Sequence, residues 1–305
     1  MRHFLRLSEL AARELHEIFE LAAGIKARPA RYRGSLRDKI VGLLFQKPST
    51  RTRVSFEAGI RQMGGSSLYL APNDLQLGRG ETVADTARVL SRFVDAVVGR
   101  VFAQDDLEEM ARSGSIPVIN GLSDSYHPCQ ALADYFTLAE KKGKLRGLKL
   151  AYVGDGNNVA HSLIEGGAKL GVNVAVACPP GYEPDRELVK AARAAARRTG
   201  ACIDVMADPR AAVRGADAVY TDVWTSMGQE AEEQKRRLVF SGYQVSEKLF
   251  GLAKQDAVFM HCLPAHRGDE VAAEVMDSPS SIVFDQAENR LYTQKAILHL
   301  LVGRR

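Results

Sequence analysis

The chain has one dense group of anion-binding residue types, in the stretch FQKPSTRTRVSFEAGIRQMGG from Phe45 to Gly65. An apolar segment ends at Pro48, and hydroxyl and guanidinium side chains then follow at Ser49, Thr50, Arg51, Thr52 and Arg53. A helix that starts here would offer backbone N–H groups and the positive end of its dipole, which together bind phosphate. The alternative is an ordinary helix cap followed by solvated arginines. The stretch lacks the GK[ST] ending that would indicate ATP.

Other polar or reactive side chains occur where strands are predicted to end. They are Arg100 in DAVVGRVF, His127 and Gln130 in SYHPCQALADYF, and Cys262 and Leu263 in VFMHCLPAHRGDE. Taken singly, they could be a surface arginine, a capping histidine and a buried cysteine. However, open parallel sheets bind ligands beyond the carboxyl ends of their strands, so these positions are candidates for a functional site.

The elements that must position these residues are short apolar strands alternating with helical patterns. The strand patterns are KIVGLLF, SSLYL, DAVVGRV and SIPVING, then LKLAYVG, VNVAVACP, ACIDVMA, DAVYTDVW, AVFMHCLP and SIVFD. The helical patterns of the first half are Val54–Met63, Thr82–Phe93 and Leu107–Ser113. This alternation predicts an α/β fold with two similar domains, each a parallel sheet flanked by helices.

A break between the domains is predicted near KKGKLRG, from Lys141 to Gly147. We therefore expect a first domain over residues 1–145 and a second over 146–290. The final segment, 291–305, has a helical pattern and is expected to pack back on the first domain. No low-complexity region and no short repeat interrupts this organisation.

Composition excludes several classes of protein. The 305 residues are 46% hydrophobic, and the formal net charge of +4 is spread over 41 basic and 37 acidic residues, which suits a small anionic substrate better than nucleic acid. No apolar run approaches a membrane span, and the N-terminal stretch predicts an amphipathic helix rather than a signal peptide. The cysteines form no CxxC pair, which predicts a reduced, cytoplasmic protein; they are Cys129, Cys178, Cys202 and Cys262.

Four motifs, STRTR, HPCQ, DVWTSMG and HCLPAHRG, occur in this order, and together they resemble the transcarbamoylase family in its ornithine-using branch. The resemblance covers essentially the whole chain, and the combination is specific although each motif alone is weak. It implies transfer of the carbamoyl group of carbamoyl phosphate to the side-chain amine of L-ornithine, giving L-citrulline and phosphate. It also implies an active site between the two domains, with neither metal nor cofactor, and the compact length favours arginine biosynthesis over arginine breakdown.

The resemblance implies specific contacts to carbamoyl phosphate in the first domain. Ser49, Thr50, Arg51 and Thr52 would hold its phosphate. The carbonyl oxygen would be bound by Arg100, His127 and Thr52, and the amide by Gln130. The rest of the implied set is Gln76, Pro128, Cys129, Cys262, Leu263 and Arg290, with Cys129 expected to serve packing rather than chemistry.

For ornithine, the resemblance implies Asn158, Asp222, Ser226 and Met227. Asn157 could share the role of Asn158, since the Asn-Asn pair does not distinguish them. The implied catalytic residues are Arg51, Arg100, His127 and Cys262. The amine must attack uncharged, and its proton could be steered by Asp222 or Cys262 or taken by the product phosphate; the sequence leaves this open. In this family the bond between Leu263 and Pro264 is expected to be cis.

The resemblance further implies a homo-oligomer, most simply a trimer, in which the loop of Gln76 reaches the site of a neighbouring subunit. Two other classes of protein compete with this interpretation. GDGNNV after a strand could belong to a nicotinamide-dependent dehydrogenase, but it lacks the third glycine of the fingerprint. His261, Cys262 and His266 could bind zinc in a non-catalytic module, but they lack a second ligand pair of the usual spacing. Within the family, aspartate-, putrescine- and acetylornithine-using relatives are the alternatives.

Overall fold

The computed structural model of the protein describes residues 2–71, 75–77, 80–225 and 232–303. Two compact units are present: the first runs to Ala133 and resumes at Glu288, and the second is Asp134–Ala287. Ser226 and Met227, for which the family resemblance implies a role in ornithine binding, lie outside the described residues.

The first unit is built on a four-stranded sheet. Its strands are β1 (Ile40–Phe45), β2 (Ser66–Leu70), β3 (Ala96–Arg100) and β4 (Val118–Leu122). Its helices are α1 (Ala12–Ala27), α2 (Thr50–Gln62), α3 (Val83–Leu90) and α4 (Gln104–Ser113). The chain then passes along α5 (Pro128–Lys142), which begins in this unit and ends in the second.

The second unit is built on a five-stranded sheet. Its strands are β5 (Lys149–Val153), β6 (Asn173–Ala177), β7 (Ile203–Met206), β8 (Ala218–Thr221) and β9 (Val258–His261). Its helices are α6 (Asn158–Leu170), α7 (Arg186–Ala196), α8 (Pro209–Val213), α9 (Glu233–Phe240), α10 (Glu247–Phe250) and α11 (Ala273–Met276). The last helix, α12 (Val283–Val302), begins in this unit and ends in the first.

Both sheets are parallel, which confirms the predicted α/β fold class. The strand order is β2-β1-β3-β4 in the first sheet and β7-β6-β5-β8-β9 in the second. In each sheet the chain winds to one side of its first strand and then continues on the other side. The switch points are therefore between β1 and β3 and between β5 and β8. In open α/β sheets, the carboxyl ends of the strands at a switch point border the usual ligand crevice.

The strands near the switch points are buried because helices cover both faces of a parallel sheet. Their side chains form near-continuous apolar runs, as in IVGLLF of β1 and KLAYV of β5. In the second unit, Val153, Val219 and Phe259 lie in one apolar core with Val271 and Val283 from the flanking segments. Burial of each such side chain stabilises the fold by about 1.5–3 kcal/mol. The packed cores position the strand ends, and these ends carry the polar residues.

One strand prediction is wrong. The run SIVFD was predicted to be a strand, but only Ser281 makes an isolated parallel bridge, to Phe259, and α12 begins two residues later at Val283. The N–H of Ile282 donates to the carbonyl of Phe259, so the run makes one bridge to the edge strand β9 and does not form a strand of its own. The β-branched and aromatic residues favoured a strand locally. With no Gly or Pro after Ser281 until Gly303, the helical pattern extends back to Val283.

No helix within the described residues combines the length and the apolar character needed to cross a membrane.

Candidate active site

The first polar cluster lies at the switch point between β1 and β3. Phe45, the last residue of β1, pairs in register with Arg100, the last residue of β3. The backbone N–H of Gln46 donates to the carbonyl of Arg100 at 2.7 Å, which extends the pairing by one residue. Since α2 starts four residues later, this register places its N-terminus beside the end of β3. We call Ser49–Thr52, Arg100, His127, Gln130 and Arg290 the anion cluster.

The N-terminus of α2 is capped by Ser49. Ser49 has extended backbone geometry, and its Oγ accepts a hydrogen bond of 3.2 Å from the N–H of Thr52. The side chain of Ser49 thus satisfies one of the N–H groups that a helix leaves without intrahelical partners at its start. Thr50 is exposed and Arg51 is half-buried. Ser49 uses its oxygen as the acceptor, so its hydroxyl proton can be donated to a ligand.

The last helix of the chain contributes to the same cluster. Nη2 of Arg290 donates to Oγ1 of Thr52 at 2.7 Å, and both side chains are buried. The helices α2 and α12 approach closely here, because a Cβ placed on Gly59 would lie 3.3 Å from Lys295 and 3.4 Å from Leu291. Thr52 therefore accepts a hydrogen bond from a cation and keeps its own proton for an acceptor. This arrangement suits a ligand that carries negative charge.

His127 is buried just before α5 and is surrounded by positive charge. Burial lowers the pKa of its imidazole well below 6.5, and the guanidiniums of Arg290, Arg100 and Arg51 lower it further, in that order. His127 is consequently neutral at pH 7, and its ring carries one N–H donor and one acceptor. A neutral imidazole can donate a hydrogen bond to a carbonyl oxygen without adding to the repulsion among the arginines.

The remaining residues of HPCQ have distinct positions. Pro128 is the first residue of α5, where the lack of an N–H costs nothing. Burial raises the pKa of the Cys129 thiol to about 12, and this thiol donates to the carbonyl of Asn120 at 3.2 Å. The buried thiol of Cys129 is thus held by a hydrogen bond to the protein's own backbone. Gln130 is 1% exposed and lies in the first turn of α5.

The second polar cluster lies at the switch point between β5 and β8. Val153 pairs in register with Thr221, so the residues after these two strands are neighbours. Asn157 caps α6: its Oδ1 accepts from the N–H groups of Val159 and Ala160. Its Nδ2 donates to Oδ2 of Asp222 at 2.8 Å.

The two neighbouring asparagines hold different positions at the start of α6. The amide of Asn157 is engaged by the helix cap and by Asp222, and Asn158 is the first helical residue, with a half-buried side chain. Because the positive end of the α6 dipole lies here, a carboxylate bound near Asn158 would be stabilised.

Asp222 joins the cluster to β9. Its Oδ1 accepts a hydrogen bond of 2.8 Å from the thiol of Cys262 and another of 2.8 Å from the N–H of Val223. Together with the bond from Asn157, three donors converge on one buried carboxylate. The carboxylate is thus fixed in orientation beside a sulfur atom. We call Asn157, Asn158, Asp222 and Cys262 the amine cluster.

His261 was predicted only as a possible zinc ligand, and Glu270 was not predicted as part of a site. Nδ1 of His261 accepts from the N–H of Leu263 at 2.8 Å, and Nε2 lies 3.2 Å from Oε1 of Glu270. The imidazole is therefore protonated on Nε2, and it fixes the backbone at Leu263, which has a φ of 60°. The bond between Leu263 and Pro264 is cis, as expected. HCLPAHRGDE contains both His261 and Glu270, but nothing in that stretch indicates that they pair.

The zinc alternative can be compared with this geometry. Ligand atoms of Asp222, His261 and Cys262 lie within 4.8 Å of one another. However, both ring nitrogens of His261 already make hydrogen bonds to Leu263 and Glu270. A metal ion would have to displace one of these contacts. The arrangement favours hydrogen bonding within the protein over metal ligation.

The dehydrogenase alternative depends on the glycines of GDGNNV. A Cβ placed on Gly156 would lie 2.3 Å from the nitrogen of Pro184 and 2.5 Å from the carbonyl carbon of Glu183. In the dinucleotide fingerprint, such a glycine lets the pyrophosphate approach the backbone. Here the protein's own backbone occupies that space, so Gly156 serves a tight internal contact.

The predicted site residues thus form two groups. The first unit brings together Thr52, Arg290 and His127 with the arginines around it, and the second unit brings together Asp222, Cys262 and Asn157. Gln76 is exposed, and its carbonyl accepts from the N–H of Glu81 at 3.2 Å, but the described contacts do not link it to the anion cluster.

Two family models match the chain. The carbamoyl-P binding domain of aspartate/ornithine carbamoyltransferase matches residues 2–140, and the Asp/Orn binding domain of the same enzymes matches residues 146–301. Together they cover almost the whole sequence. The two matches leave residues 141–145 between them.

Individual proteins are similar over their full length. A protein of Thermococcus kodakarensis named ornithine carbamoyltransferase is 56% identical over 99% of this chain and 96% of its own. One of Pyrococcus furiosus, named ornithine carbamoyltransferase, anabolic, is 54% identical over 99% of this chain and 96% of its own. A solved structure titled ornithine carbamoyltransferase from Pyrococcus furiosus superposes with a TM-score of 0.95 at 54% identity, covering 99% of this chain and 97% of that one. With both domain models matched and identities of this size, the chain belongs to the aspartate/ornithine carbamoyltransferase family.

Proposed function

We propose that this protein is an ornithine carbamoyltransferase, which transfers the carbamoyl group of carbamoyl phosphate to the side-chain amine of L-ornithine and releases L-citrulline and phosphate. The observation that carries the proposal is the neutral His127 among the guanidiniums of Arg51, Arg100 and Arg290. Fixed positive charge beside an uncharged donor suits a phosphate that is attached to a carbonyl group. The names of the relatives and the presence of an anabolic relative support ornithine as acceptor and a role in arginine biosynthesis.

In this proposal, carbamoyl phosphate binds in the first domain, residues 1–145. The N-terminus of α2, with Ser49, Thr50 and Arg51, holds the phosphate, and Thr52 spans the phosphate and the carbonyl oxygen. Arg100 and His127 donate to that oxygen, and Gln130 bonds the amide. Arg290 completes the set through its bond to Thr52.

Ornithine binds in the second domain, residues 146–290. Asp222 takes the α-ammonium group and Asn158 the α-carboxylate, while Cys262 and the carbonyl of Leu263 lie beside the reacting amine. Ser226 and Met227 supply further polar contacts. The carboxylate of Asp222 supports ornithine over aspartate, because an amine donor with an additional carboxylate would place two like charges together in a buried setting.

The reaction follows from these contacts. An uncharged amine attacks the carbonyl carbon, a C–N bond forms, and negative charge develops on the carbonyl oxygen. Arg100, His127 and Thr52 stabilise that charge, and the loss of one such donor typically lowers the rate about 100- to 1000-fold. The C–O bond to phosphate then breaks. The amine gives up one proton and the departing phosphate gains one, so hydrogen phosphate is the product.

The proposal is tested by measuring citrulline formation from carbamoyl phosphate and L-ornithine, with putrescine and aspartate as competing acceptors. We expect citrulline as the main product and a kcat/KM for ornithine at least roughly 100-fold above that for either competitor, as expected for a site with specific buried polar contacts. Faster carbamoylation of another amine would overturn the choice of substrate. Inactivity toward all three acceptors would overturn the enzyme class.

We also propose that the protein is a cytoplasmic homotrimer in which Gln76 of one subunit completes the site of its neighbour. The exposed position of Gln76 is compatible with this role. Refolding an inactive Gln76→Ala variant together with an inactive Arg51→Ala variant should restore activity. In the mixed trimers, some shared sites would then have both residues intact. Failure of the refolded mixture to regain activity, with trimers present by ultracentrifugation, would refute the shared site.

A further inference from the structure

Arg236 is a buried cation that neither the sequence motifs nor the proposed chemistry uses. It lies in α9, and 5% of its surface is exposed, whereas its neighbours Lys235 and Arg237 are exposed. A buried guanidinium must be compensated by acceptors, since an unpaired charge in the interior is very costly. The identity of its acceptors therefore shows what this side chain holds in place.

The acceptors of Arg236 come from three segments. Nη1 donates to Oδ2 of Asp155 at 2.7 Å and to the backbone carbonyl of Trp224 at 2.8 Å. Nε donates to Oε2 of Glu232 at 3.2 Å, within the same helical region. The first two bonds are formed in a buried setting, so each is stronger than a surface contact of the same length.

Aromatic rings fix the plane of the guanidinium. Its central carbon lies 5.0 Å from the centre of the Tyr182 ring and 6.0 Å from that of Phe240. Phe240 in turn stacks on Trp224 with ring centres 6.0 Å apart. The cation is thus packed as well as hydrogen-bonded, which leaves it little rotational freedom.

Asp155 and Trp224 lie on opposite sides of the switch point between β5 and β8. Asp155 is two residues after the end of β5 and two before Asn157, and Trp224 is three residues after the end of β8 and two after Asp222. A single guanidinium therefore joins the two loops from which the hydrogen-bonded pair Asn157 and Asp222 projects.

We propose that Arg236 is a positioning residue for the ornithine half of the reaction: by joining Asp155 to the Trp224 carbonyl, it holds the loops of the amine cluster at the distance at which Asn157 bonds Asp222. This inference rests on the proposed function. Arg236 itself touches no reacting atom in this account.

The charge of Arg236 also affects the acids around it. Burial raises the pKa of Asp155, and the nearby carboxylate of Asp222 raises it further. The hydrogen bond from Arg236 acts in the opposite direction and lowers this pKa. Without the guanidinium, Asp155 would favour its protonated form and could turn toward Asn157. The bond from Asn157 to Asp222 would then have a competitor, so the loss of Arg236 should weaken the binding of ornithine in particular.

The test compares Arg236→Met, Arg236→Lys and the double variant Asp155→Asn/Arg236→Met, with Arg237→Met as the matched control from the exposed face of the same helix. Steady-state kinetics give separate KM values for the two substrates, and calorimetry measures the binding of carbamoyl phosphate alone. We expect Arg236→Met to raise the KM for ornithine at least tenfold and to leave the affinity for carbamoyl phosphate within twofold. Arg236→Lys should recover part of the loss, because an ammonium can pair with Asp155 but cannot reproduce the planar pair of donors.

The double variant separates positioning from folding, because it replaces the buried acid of Asp155, which loses its partner, together with Arg236. We expect it to be more thermally stable than Arg236→Met and still to have a raised KM for ornithine, since the link to Trp224 is lost. An unchanged KM for ornithine in the folded double variant, or an equal loss for both substrates, would overturn the inference. Wild-type citrulline formation is measured in the same series, so failure of the proposed function is recognised separately.

Discussion

Arg290 donates a hydrogen bond from Nη2 to Oγ1 of Thr52 at 2.7 Å, although 238 residues separate them in the sequence. The bond joins the last helix, α12, to the N-terminus of α2, where the phosphate is proposed to bind. It orients the hydroxyl group of Thr52, so that the proton of that group remains available to the substrate. The anion cluster is therefore complete only when both helices are in place.

The first prediction concerns this pair. Arg290→Met and Thr52→Val should each raise the KM for carbamoyl phosphate at least tenfold, because a hydrogen bond from a buried charged group typically contributes about 1.5–3 kcal/mol. The double variant should lose less than the sum of the two single losses, since both substitutions remove the same bond. Steady-state kinetics of the four proteins measure this coupling. Strictly additive losses would show that the two residues act independently.

A second prediction concerns the arginines near His127. Arg51→Ala or Arg100→Ala should lower turnover at least roughly 100-fold, as for the loss of a donor to a developing oxyanion. The far-ultraviolet circular dichroism should not change. Arg61→Ala, on the exposed side of α2, is the control and should keep near-normal turnover. Near-normal turnover in either Arg51→Ala or Arg100→Ala would remove that residue from the cluster.

The third prediction concerns the pH dependence of catalysis. The pKa of a free alkylamine is about 10, so its neutral fraction rises roughly tenfold per pH unit near neutrality. We expect kcat/KM for ornithine to rise between about pH 6 and pH 8 with nearly this slope. His127 should not contribute to the rise, because burial and three arginines hold its pKa well below 6.5. A flat profile, measured at constant ionic strength, would contradict attack by the neutral amine.

The fourth prediction concerns stability. Unfolding returns His127 to a pKa near 6.5, so below this pH the unfolded chain binds a proton that the folded protein does not. The free energy of unfolding should therefore fall as the pH decreases from about 7 to 5, by at most about 1.4 kcal/mol per pH unit for this one group. Urea titrations of His127→Gln should show a shallower dependence than those of His16→Gln, which changes an exposed histidine. Equal slopes in the two variants would refute the assignment.

The fifth prediction concerns the thiol beside Asp222. Cys262→Ala removes the donor to Oδ1 and should lower kcat/KM for ornithine about 10- to 100-fold, whereas Cys262→Ser retains a donor and should lose less. The control is Cys202→Ala, at an exposed position. Equal losses of kcat/KM in Cys262→Ser and Cys262→Ala would show that the thiol does not act by hydrogen bonding to Asp222. Such a result would indicate a role for the sulfur atom itself.

The sequence was sufficient to predict the alternation of strands and helices, because each buried strand is an unbroken apolar run bounded by polar residues. The predicted fold class and family are confirmed. SIVFD was misassigned because its three apolar residues fit a strand and a helix equally well. In the structure only Ser281 bridges to Phe259 of β9, and the helix begins at Val283.

The site was predicted unevenly for a related reason. Ser49 at a helix start and Arg100 at a strand end follow from local pattern, since each belongs to one element. The roles of Asn157, Arg236 and His261 depend on partners in distant segments: Asp222, Asp155 and Glu270. The sequence shows that a buried polar side chain requires a hydrogen-bond partner, but only the tertiary structure shows which residue is that partner.

The separation of Thr52 and Arg290 along the chain has a consequence for the newly synthesised protein. At typical translation rates of about 5–20 residues per second, Arg290 is made roughly 10–50 s after Thr52. A nascent polypeptide can fold its first sheet long before Arg290, the residue proposed to complete the phosphate pocket, has left the ribosome. On that proposal, the labile carbamoyl donor meets a competent binding site only after synthesis has reached the final helix.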